Sequence, residues 1–207
     1  MSTPGWLAES EVLEKFDKCA GLGAETDASA FADASLALIS VFDLISGMGM
    51  ASSDMKGNAN TIKSLAANGG TLAALVNAET DGKDAKELGK LAGNGKTAAC
   101  ALLWLGRALN FILKMLNVMM NDTSKKMSEC VLAGYEVSLK PHHGMMIRGT
   151  FNMAVKAAPA RATFIGKLGP SEEEVFGKLQ AKIEGIATLV TSIQDFLSSK
   201  DAKAFSP

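Results

Sequence analysis

The sequence predicts an all-α fold, and both its composition and its apolar spacing favour this class. Hydrophobic residues make up 47 % of the 207 residues, whereas there are only five Pro and one Tyr. Aromatic residues, which sheets prefer, reach only 6 %. Apolar side chains recur at helical spacing, and no repeat of about 20–50 residues indicates a solenoid. We therefore expect a single domain, residues 1–207, that forms a two-layer sandwich of about eight helices.

Segments that contain glycine or proline separate the predicted helices. Gly47-Met-Gly-Met50 indicates a break, and Asn68-Gly-Gly70 ends the helix that follows, for which residues 52–54 are the predicted cap. Ser171 and Glu174 predict a capping box for the last helix. A polar region over residues 71–91 has ends that the pattern leaves open. The predicted helices cover residues 10–20, 27–46, 52–68, 97–121, 124–139, 142–158 and 171–199.

Charge and motifs exclude several classes of protein. A net charge of −1 without a basic tail argues against nucleic-acid binding. Cys19, Cys100 and Cys130 lack metal-ligand spacing, so we expect reduced thiols in a cytoplasmic protein and neither a metal nor a cofactor. No zinc, nucleophile-elbow or phosphate-loop motif is found, so we expect no catalytic residue and no enzyme. Because the N-terminus carries no secretory signal and polar residues interrupt residues 97–120, we expect a soluble protein.

The helix over residues 97–121 carries one narrow polar stripe. Its polar residues are spaced by three, four and three positions, and the rest of its surface is apolar, which indicates burial on most sides. Trp104 lies one turn before the stripe, at its edge. From spacing alone, a tryptophan that fills the core boundary stays the simpler interpretation. The stripe consists of Arg107, Asn110, Lys114 and Asn117.

Two other groups of residues leave a choice between a site and ordinary packing. Asp54, Asn58 and Thr61 share one helical face, which suits either a polyhydroxyl ligand or contact with solvent. His143 precedes an apolar row at intervals of four residues, so it is either a boundary residue or part of a site. That row consists of Ile147, Phe151 and Val155.

Between residues 42 and 159 the sequence resembles the glycolipid transfer protein family. The similar segments follow the family's order and spacing, and four of them in register are specific where one alone is weak. They are Asp54-Met-Lys-Gly-Asn58 with Ile62-Lys63, Ala101-Leu-Leu-Trp-Leu-Gly-Arg107 with Leu109-Asn-Phe-Ile112, Tyr135-Glu136 with Leu139, His143-Gly144 before Phe151, and Ala157-Ala-Pro159.

The resemblance implies a carrier of one glycosphingolipid without covalent chemistry. It makes Trp104 a platform for the first sugar ring and Asn58 a partner of sugar hydroxyls. Asp54 and His143 would bracket the ceramide amide, Asp54 accepting from its N–H and His143 donating to its C=O. Further polar contacts are expected from Thr61, Lys63 and Arg107. The acyl chains would lie in an apolar interior lined by Phe111, Phe151, Ile147 and Val155.

The chain departs from the family at two places that concern the head group and the membrane. The family usually has Lys where Thr61 stands, and whether Lys63 or Lys56 replaces it stays open. Where the family often has a membrane-inserting Trp, this chain has Met145 and Met146. No Asp or Glu occurs over residues 137–170, although Lys140, Arg148, Lys156, Arg161 and Lys167 do. We therefore expect Met145, Met146, Lys140 and Arg148 to contact a membrane surface transiently.

A sister branch of the family carries ceramide-1-phosphate and surrounds the phosphate with cations. At the corresponding positions this chain has Asn58, Trp104 and Cys100, which would leave a buried phosphate unpaired. We therefore favour a sugar head group. The alternative is a carrier of ceramide-1-phosphate or another sphingolipid, or a lipid sensor of the same fold. We expect a monomer.

Overall fold

The computed structural model describes residues 5–9 and 11–207, and within them it contains helices and no strand. The all-α prediction is therefore confirmed. Four 3₁₀ turns occur at Glu14–Cys19, Gly23–Glu25, Ser40–Leu44 and Lys140–His142. The α-helices are α1 Trp6–Glu9, α2 Ala28–Ile39, α3 Gly49–Leu65, α4 Leu72–Thr80, α5 Ala85–Ala92, α6 Ala98–Asn121, α7 Met127–Ser138, α8 Met145–Val155, α9 Arg161–Leu168 and α10 Glu172–Lys200.

Helix boundaries differ from the prediction at several places; the helix predicted over residues 27–46, for example, ends at Ile39. The first predicted helix is a 3₁₀ turn over Glu14–Cys19, and position 10 of that prediction lies outside the described residues. Helix α3 starts at Gly49, before the predicted cap, because the Ser52 N–H already donates to the Met48 carbonyl at 2.9 Å. Helix α9 was not predicted, because it is only eight residues long and lies between Pro159 and Pro170.

Helix α6 lies at the centre of the fold and packs against α3, α7 and α10. Seventeen of its 24 residues are buried. By length and composition it is apolar enough to cross a membrane, but 83 % of its most apolar window is buried inside the protein. Its apolar character therefore belongs to a core helix, as the narrow polar stripe predicts.

The start of α6 is fixed by two side chains from outside the helix. The Thr97 hydroxyl accepts from the Cys100 N–H. The Glu79 carboxylate, from α4, accepts from the N–H groups of Ala98 and Ala99 at 2.7 and 2.9 Å. A carboxylate at a helix N-terminus satisfies unpaired donors and interacts favourably with the helix dipole. Helix α4 thus holds α6 at a defined position along its axis.

Helices α6 and α7 approach each other closely at Gly134. A Cβ atom at this glycine would lie 2.8 Å from the Phe111 carbonyl oxygen and 2.9 Å from the Met115 nitrogen, both backbone atoms. Backbone atoms cannot turn away as a flexible side chain can. The absence of a side chain therefore sets the spacing between the two helices and, with it, the position of the α7–α8 connection.

Gly134→Ala should lower the free energy of unfolding by about 1–3 kcal/mol, because the added methyl forces α6 and α7 apart. Urea denaturation monitored by circular dichroism measures the change. Gly185→Ala on α10 is the matched control, since a Cβ there meets nothing within 4 Å; it should be neutral or stabilising. Equal stability of the two variants would contradict the close approach.

Candidate functional site

The α7–α8 connection brings both histidines of the chain to Trp104 on α6. The rings of His143 and Trp104 are close to parallel, with centroids 5.8 Å apart and 23° between their planes. The His142 ring meets the indole edge-on at 6.4 Å. Trp104 is half-buried and Arg107, one turn further, places its guanidinium carbon 4.8 Å from the indole centroid. The predicted grouping of Trp104 with His143 is thus present in the structure.

Tyr135 on α7 fixes the orientation of the His143 ring. Its hydroxyl lies 3.0 Å from His143 Nδ1, and its side chain is buried. The hydroxyl has no other hydrogen-bond partner among residues 5–9 and 11–207. In the tautomer in which it donates to Nδ1, the neutral imidazole carries its proton on Nε2, which is then the ring's N–H donor. Arg148 fixes the backbone here, because its Nε donates to the His143 carbonyl at 2.8 Å.

The surroundings of the two histidines favour the neutral imidazole. Burial lowers the pKa of His143, the Asp54 carboxylate acts in the opposite direction, and Arg107 and Arg148 lower the pKa further. The pKa of His142 is lowered as well, first by burial and then by Arg107. A neutral His143 held by Tyr135 can donate from Nε2 to a ligand carbonyl without bringing a charge into the site.

Helix α3 contributes the predicted carboxylate, amide and hydroxyl. Asp54 is exposed, and it is near enough to His143 to influence its pKa. The half-buried Asn58 donates from Nδ2 to the Asp54 carbonyl at 3.2 Å, and Thr61 donates to the Gly57 carbonyl at 3.1 Å. The carboxylate of Asp54 and the amide oxygen of Asn58 remain available as acceptors.

The lysines proposed to replace the family's sugar-binding Lys are each engaged in an ion pair. Lys56 lies 2.7 Å from Asp43, and Lys63 lies 2.6 Å from Asp33. Both pairs are partly exposed, and pairs of this kind contribute about 0–1 kcal/mol. The structure therefore does not place either ammonium group beside Trp104, and the choice between the two lysines stays open.

Arg107 and the last residues of the chain form a wall of the site that the sequence did not predict. Arg107 is buried, and its Nη2 donates to the Ser206 carbonyl at 2.6 Å. Burial lowers the pKa of Arg107 to about 10. Phe205 is fully buried, and the Pro207 backbone is a hydrogen-bond partner of His142. The one signal for this wall was Phe205, a large apolar residue in an otherwise small and polar tail.

Beneath the polar groups, an aromatic cluster fills the interior. Phe111 packs on Phe42 and Phe151 at centroid distances of 5.1 and 5.8 Å, and Tyr135 stacks on Phe151 at 3.7 Å. Phe42 and Tyr135 were not predicted as members of this interior. Because these rings cover one another, a lipid chain can enter between them only by displacing them.

Of the four predicted lining residues, three are buried and one is outside. Phe111, Phe151 and Val155 are 0, 7 and 2 % exposed. Ile147 is 52 % exposed, because α8 begins only at Met145 and its first turn projects from the body of the protein. Ile147 therefore joins the exposed residues of α8, and its assignment to the interior is corrected.

The residues predicted to contact a membrane differ in their exposure and in whether they bind other residues of the protein. Met145 and Met146 are 90 and 86 % exposed. Lys140, by contrast, pairs with Glu136 at 2.9 Å, and Arg148 turns toward the His143 carbonyl. The acidic residue that pairs with Lys140 lies just before the acid-free segment, which is why the charge count missed it. Met145 and Met146 are thus more available for membrane contact than Lys140 and Arg148.

A separate groove of about 400 Å³ lies between α6 and α10. It is lined by three members of the α6 stripe together with residues of α10, including Phe176 and Gln180. The stripe therefore divides: Arg107 belongs to the site at Trp104, whereas the rest faces this groove. Those other members are Asn110, Lys114 and Asn117.

Fold and site together define an all-α protein with a polar binding site above an apolar interior, the class of helical lipid carriers. The sequence model of the Glycolipid transfer protein (GLTP) family matches residues 26–170. The chain belongs to the glycolipid transfer protein family.

Two curated relatives illustrate how far the similarity extends. A glycolipid transfer protein of Aureobasidium melanogenum is 31 % identical over 175 residues, which cover 84 % of each chain. Glycolipid transfer protein 2 of Arabidopsis thaliana is 34 % identical over 98 residues, covering 46 % of this chain and 44 % of that one. The second match thus spans less than half of its relative.

Two solved structures share the fold. The fungal glycolipid transfer protein HET-C2 is 27 % identical, with a TM-score of 0.71 over 93 % of this chain and 99 % of its own. A variant of the Arabidopsis accelerated-cell-death 11 protein, complexed with a ceramide-1-phosphate, has a TM-score of 0.85 over 97 and 99 % of the two chains. It is 16 % identical, so it shows the fold alone.

Stability should decrease between about pH 7.5 and 5.5, in part because of His142 and His143. Their folded-state pKa values are lowered from 6.5, so the unfolded chain binds more protons in this window and acidification favours unfolding. Urea denaturation at the two pH values measures the effect. Because the chain has only two histidines, the variant His142→Gln/His143→Gln should show a weaker pH dependence. An unchanged dependence would contradict the lowered pKa values.

Proposed function

We propose that this chain is a soluble, cytoplasmic, non-enzymatic protein that transfers one glycosphingolipid between membranes. Membership in the glycolipid transfer protein family supports the lipid-transfer role. The observation that carries the proposal is the arrangement of Trp104, His143 and Asp54 above the aromatic interior. It offers one aromatic surface, one neutral donor and one acceptor within a single site.

The ceramide amide fits between His143 and Asp54. An amide removed from water must regain partners for both its N–H and its C=O, and each one left without a partner costs about 1–3 kcal/mol. Asp54 accepts from the N–H, and Nε2 of His143 donates to the C=O. Since Tyr135 already occupies Nδ1, Nε2 is the ring nitrogen left for the lipid before it arrives. Preorganisation of this kind reduces the cost of binding.

A sugar fits the remaining surface better than a phosphate does. The apolar face of a sugar ring suits an indole, and Asn58 can exchange hydrogen bonds with hydroxyls. The cations at the site have other partners: Arg107 binds the Ser206 carbonyl, and Arg148 binds the His143 carbonyl. A phosphate would have to break such contacts before it gained a cation of its own.

The acyl chains occupy the interior around Phe111, Phe151 and Val155. Burial of one CH₂ group from water contributes about 0.8 kcal/mol, but the chains leave a bilayer that is as apolar as the interior. Transfer of the chains from one to the other therefore adds little net affinity. Selectivity must come from the polar site, where membranes and protein differ most.

Trp104→Ala should reduce glycolipid transfer between vesicles by at least roughly tenfold, because the stacking surface is lost. The fold should persist, since Trp104 is half-buried at the edge of the core. Trp6→Ala is the opposite control: Trp6 is buried in α1, so its loss should destabilise the fold by about 3–5 kcal/mol and spare lipid specificity. Near wild-type transfer by Trp104→Ala would refute the platform.

Native mass spectrometry identifies the ligand in the same experiment. Wild-type protein mixed with a total lipid extract should retain one glycosphingolipid per chain, and Trp104→Ala should retain little. Retention of ceramide-1-phosphate instead would overturn the assignment of a sugar head group.

We further propose that the first turn of α8 docks on the membrane. Met145, Met146 and Ile147 are exposed apolar residues directly after His143, so insertion between head groups places the site at the membrane surface. Lys156 adds electrostatic attraction to anionic lipid, up to about 1 kcal/mol, and Lys140 adds less because it pairs with Glu136. Binding by a few side chains stays weak and reversible, which a carrier needs in order to leave the membrane again.

Met145→Ser/Met146→Ser should slow transfer several-fold while leaving the binding of a water-soluble, short-chain glycolipid unchanged. Transfer and cosedimentation with vesicles are measured in parallel, and association of the wild type should rise with anionic lipid and low salt. Leu65→Ser is the control: it removes an exposed apolar residue about 16 Å along α3 from Asp54. Equal slowing by both variants would exclude the α8 turn as the docking surface.

A further inference from the structure

The methionines of this protein fall into two groups of opposite exposure. Among residues 5–9 and 11–207, five methionines are at most 3 % exposed and Met120 is intermediate. Four others are 67 to 90 % exposed. The buried five are Met48, Met55, Met115, Met119 and Met127, and the exposed four are Met50, Met145, Met146 and Met153.

The four exposed methionines gather at one region of the surface. Three of them belong to α8, where Met146 and Met153 lie seven residues apart and therefore on one helical face. Met50 is in the first turn of α3, just after Gly47, and Gly47 packs against Ala154 near the end of α8. Met145 and Met146 thus lie in the first turn of α8 that we propose to dock on membranes, whereas Met50 and Met153 lie near the other end of this helix.

A thioether in this position is chemically vulnerable in a way that an indole or a leucine is not. Peroxides convert methionine to its sulfoxide, which is polar, and methionine sulfoxide reductases reverse the reaction. Sulfoxide formation disrupts methionine-rich contact surfaces. Side chains that are 86 to 90 % exposed meet the oxidant directly, whereas the buried methionines are shielded.

The other sulfur atoms do not compete for the oxidant. Cys19, Cys100 and Cys130 are all buried. Burial raises the pKa of each thiol, that of Cys19 to about 11, so the reactive thiolate is scarce at neutral pH. Within residues 5–9 and 11–207, the exposed methionines are therefore the sulfur groups that a mild peroxide treatment should modify first.

We propose that Met145 and Met146 form a reversible oxidation site that controls release of the carrier from membranes. Hydrogen peroxide transfers one oxygen atom to Sδ: an S–O bond forms, the O–O bond breaks, the thioether is oxidised by two electrons and the peroxide is reduced to water. The sulfoxide prefers water to the membrane interface, so docking weakens while the lipid site at Trp104 stays intact. This inference rests on the proposed docking surface.

The test compares vesicle association before and after treatment of the whole protein with dilute hydrogen peroxide, quenched by catalase. Peptide mass spectrometry should find sulfoxide at Met145 and Met146 well before Met115 or Met119. Association of wild type with anionic vesicles should fall roughly tenfold, the change expected when apolar contacts of two side chains are lost. Methionine sulfoxide reductases A and B should restore it.

Two variants test the site assignment. For each variant, vesicle association after peroxide treatment is divided by its association before treatment. Met145→Leu/Met146→Leu cannot be oxidised there, so its ratio should stay near one. Met50→Leu/Met153→Leu keeps the proposed site, so its ratio should fall as in wild type. Equal ratios for the two variants, or unchanged association of oxidised wild type, would overturn the inference alone. If untreated wild type does not associate at all, the docking surface is wrong and the inference fails with it.

Discussion

The burial of α6 is the constraint on which the rest of the structure depends. With 17 of 24 residues buried, this helix fixes the helices around it, and its few uncovered positions decide where polar chemistry can occur. Trp104, Arg107 and Phe111 follow one another along it at about one turn each. One rigid element therefore holds three groups at set spacings: the proposed head-group platform, the contact to Ser206 and the proposed interior lining.

Tyr135 joins the polar site to the apolar interior. Its ring stacks on Phe151, and its hydroxyl binds His143. A phenol suits this boundary because it is apolar along most of its length and polar at its tip. The same side chain therefore takes part in core packing and determines which imidazole nitrogen faces the ligand. The chain has one tyrosine, and it stands at this boundary.

Periodicity predicted the parts of the molecule whose determinants are local. Apolar spacing and the Pro and Gly residues located most helices, and segments similar to the family led to the prediction of Trp104, Asp54 and His143 as site residues. The contacts of Arg107 with Ser206 and of Lys63 with Asp33 were not predictable, since they join residues 99 and 30 positions apart. Ile147 was misplaced for a related reason: a row of residues at intervals of four does not show where a helix begins to project from the body.

In the binding mode that we propose, the stack of Tyr135 on Phe151 couples the two halves of the lipid. An acyl chain that enters between Phe111 and Phe151 must move a ring on which Tyr135 rests, and Tyr135 in turn holds His143. Occupation of the interior and hydrogen bonding at the amide are then thermodynamically linked rather than independent. The coupling is reciprocal: a change in the acyl chain alters the affinity for the head group by the same free energy by which the head group alters the affinity for that chain. In this proposed binding mode, a lipid is recognised as one molecule and not as the sum of its two ends.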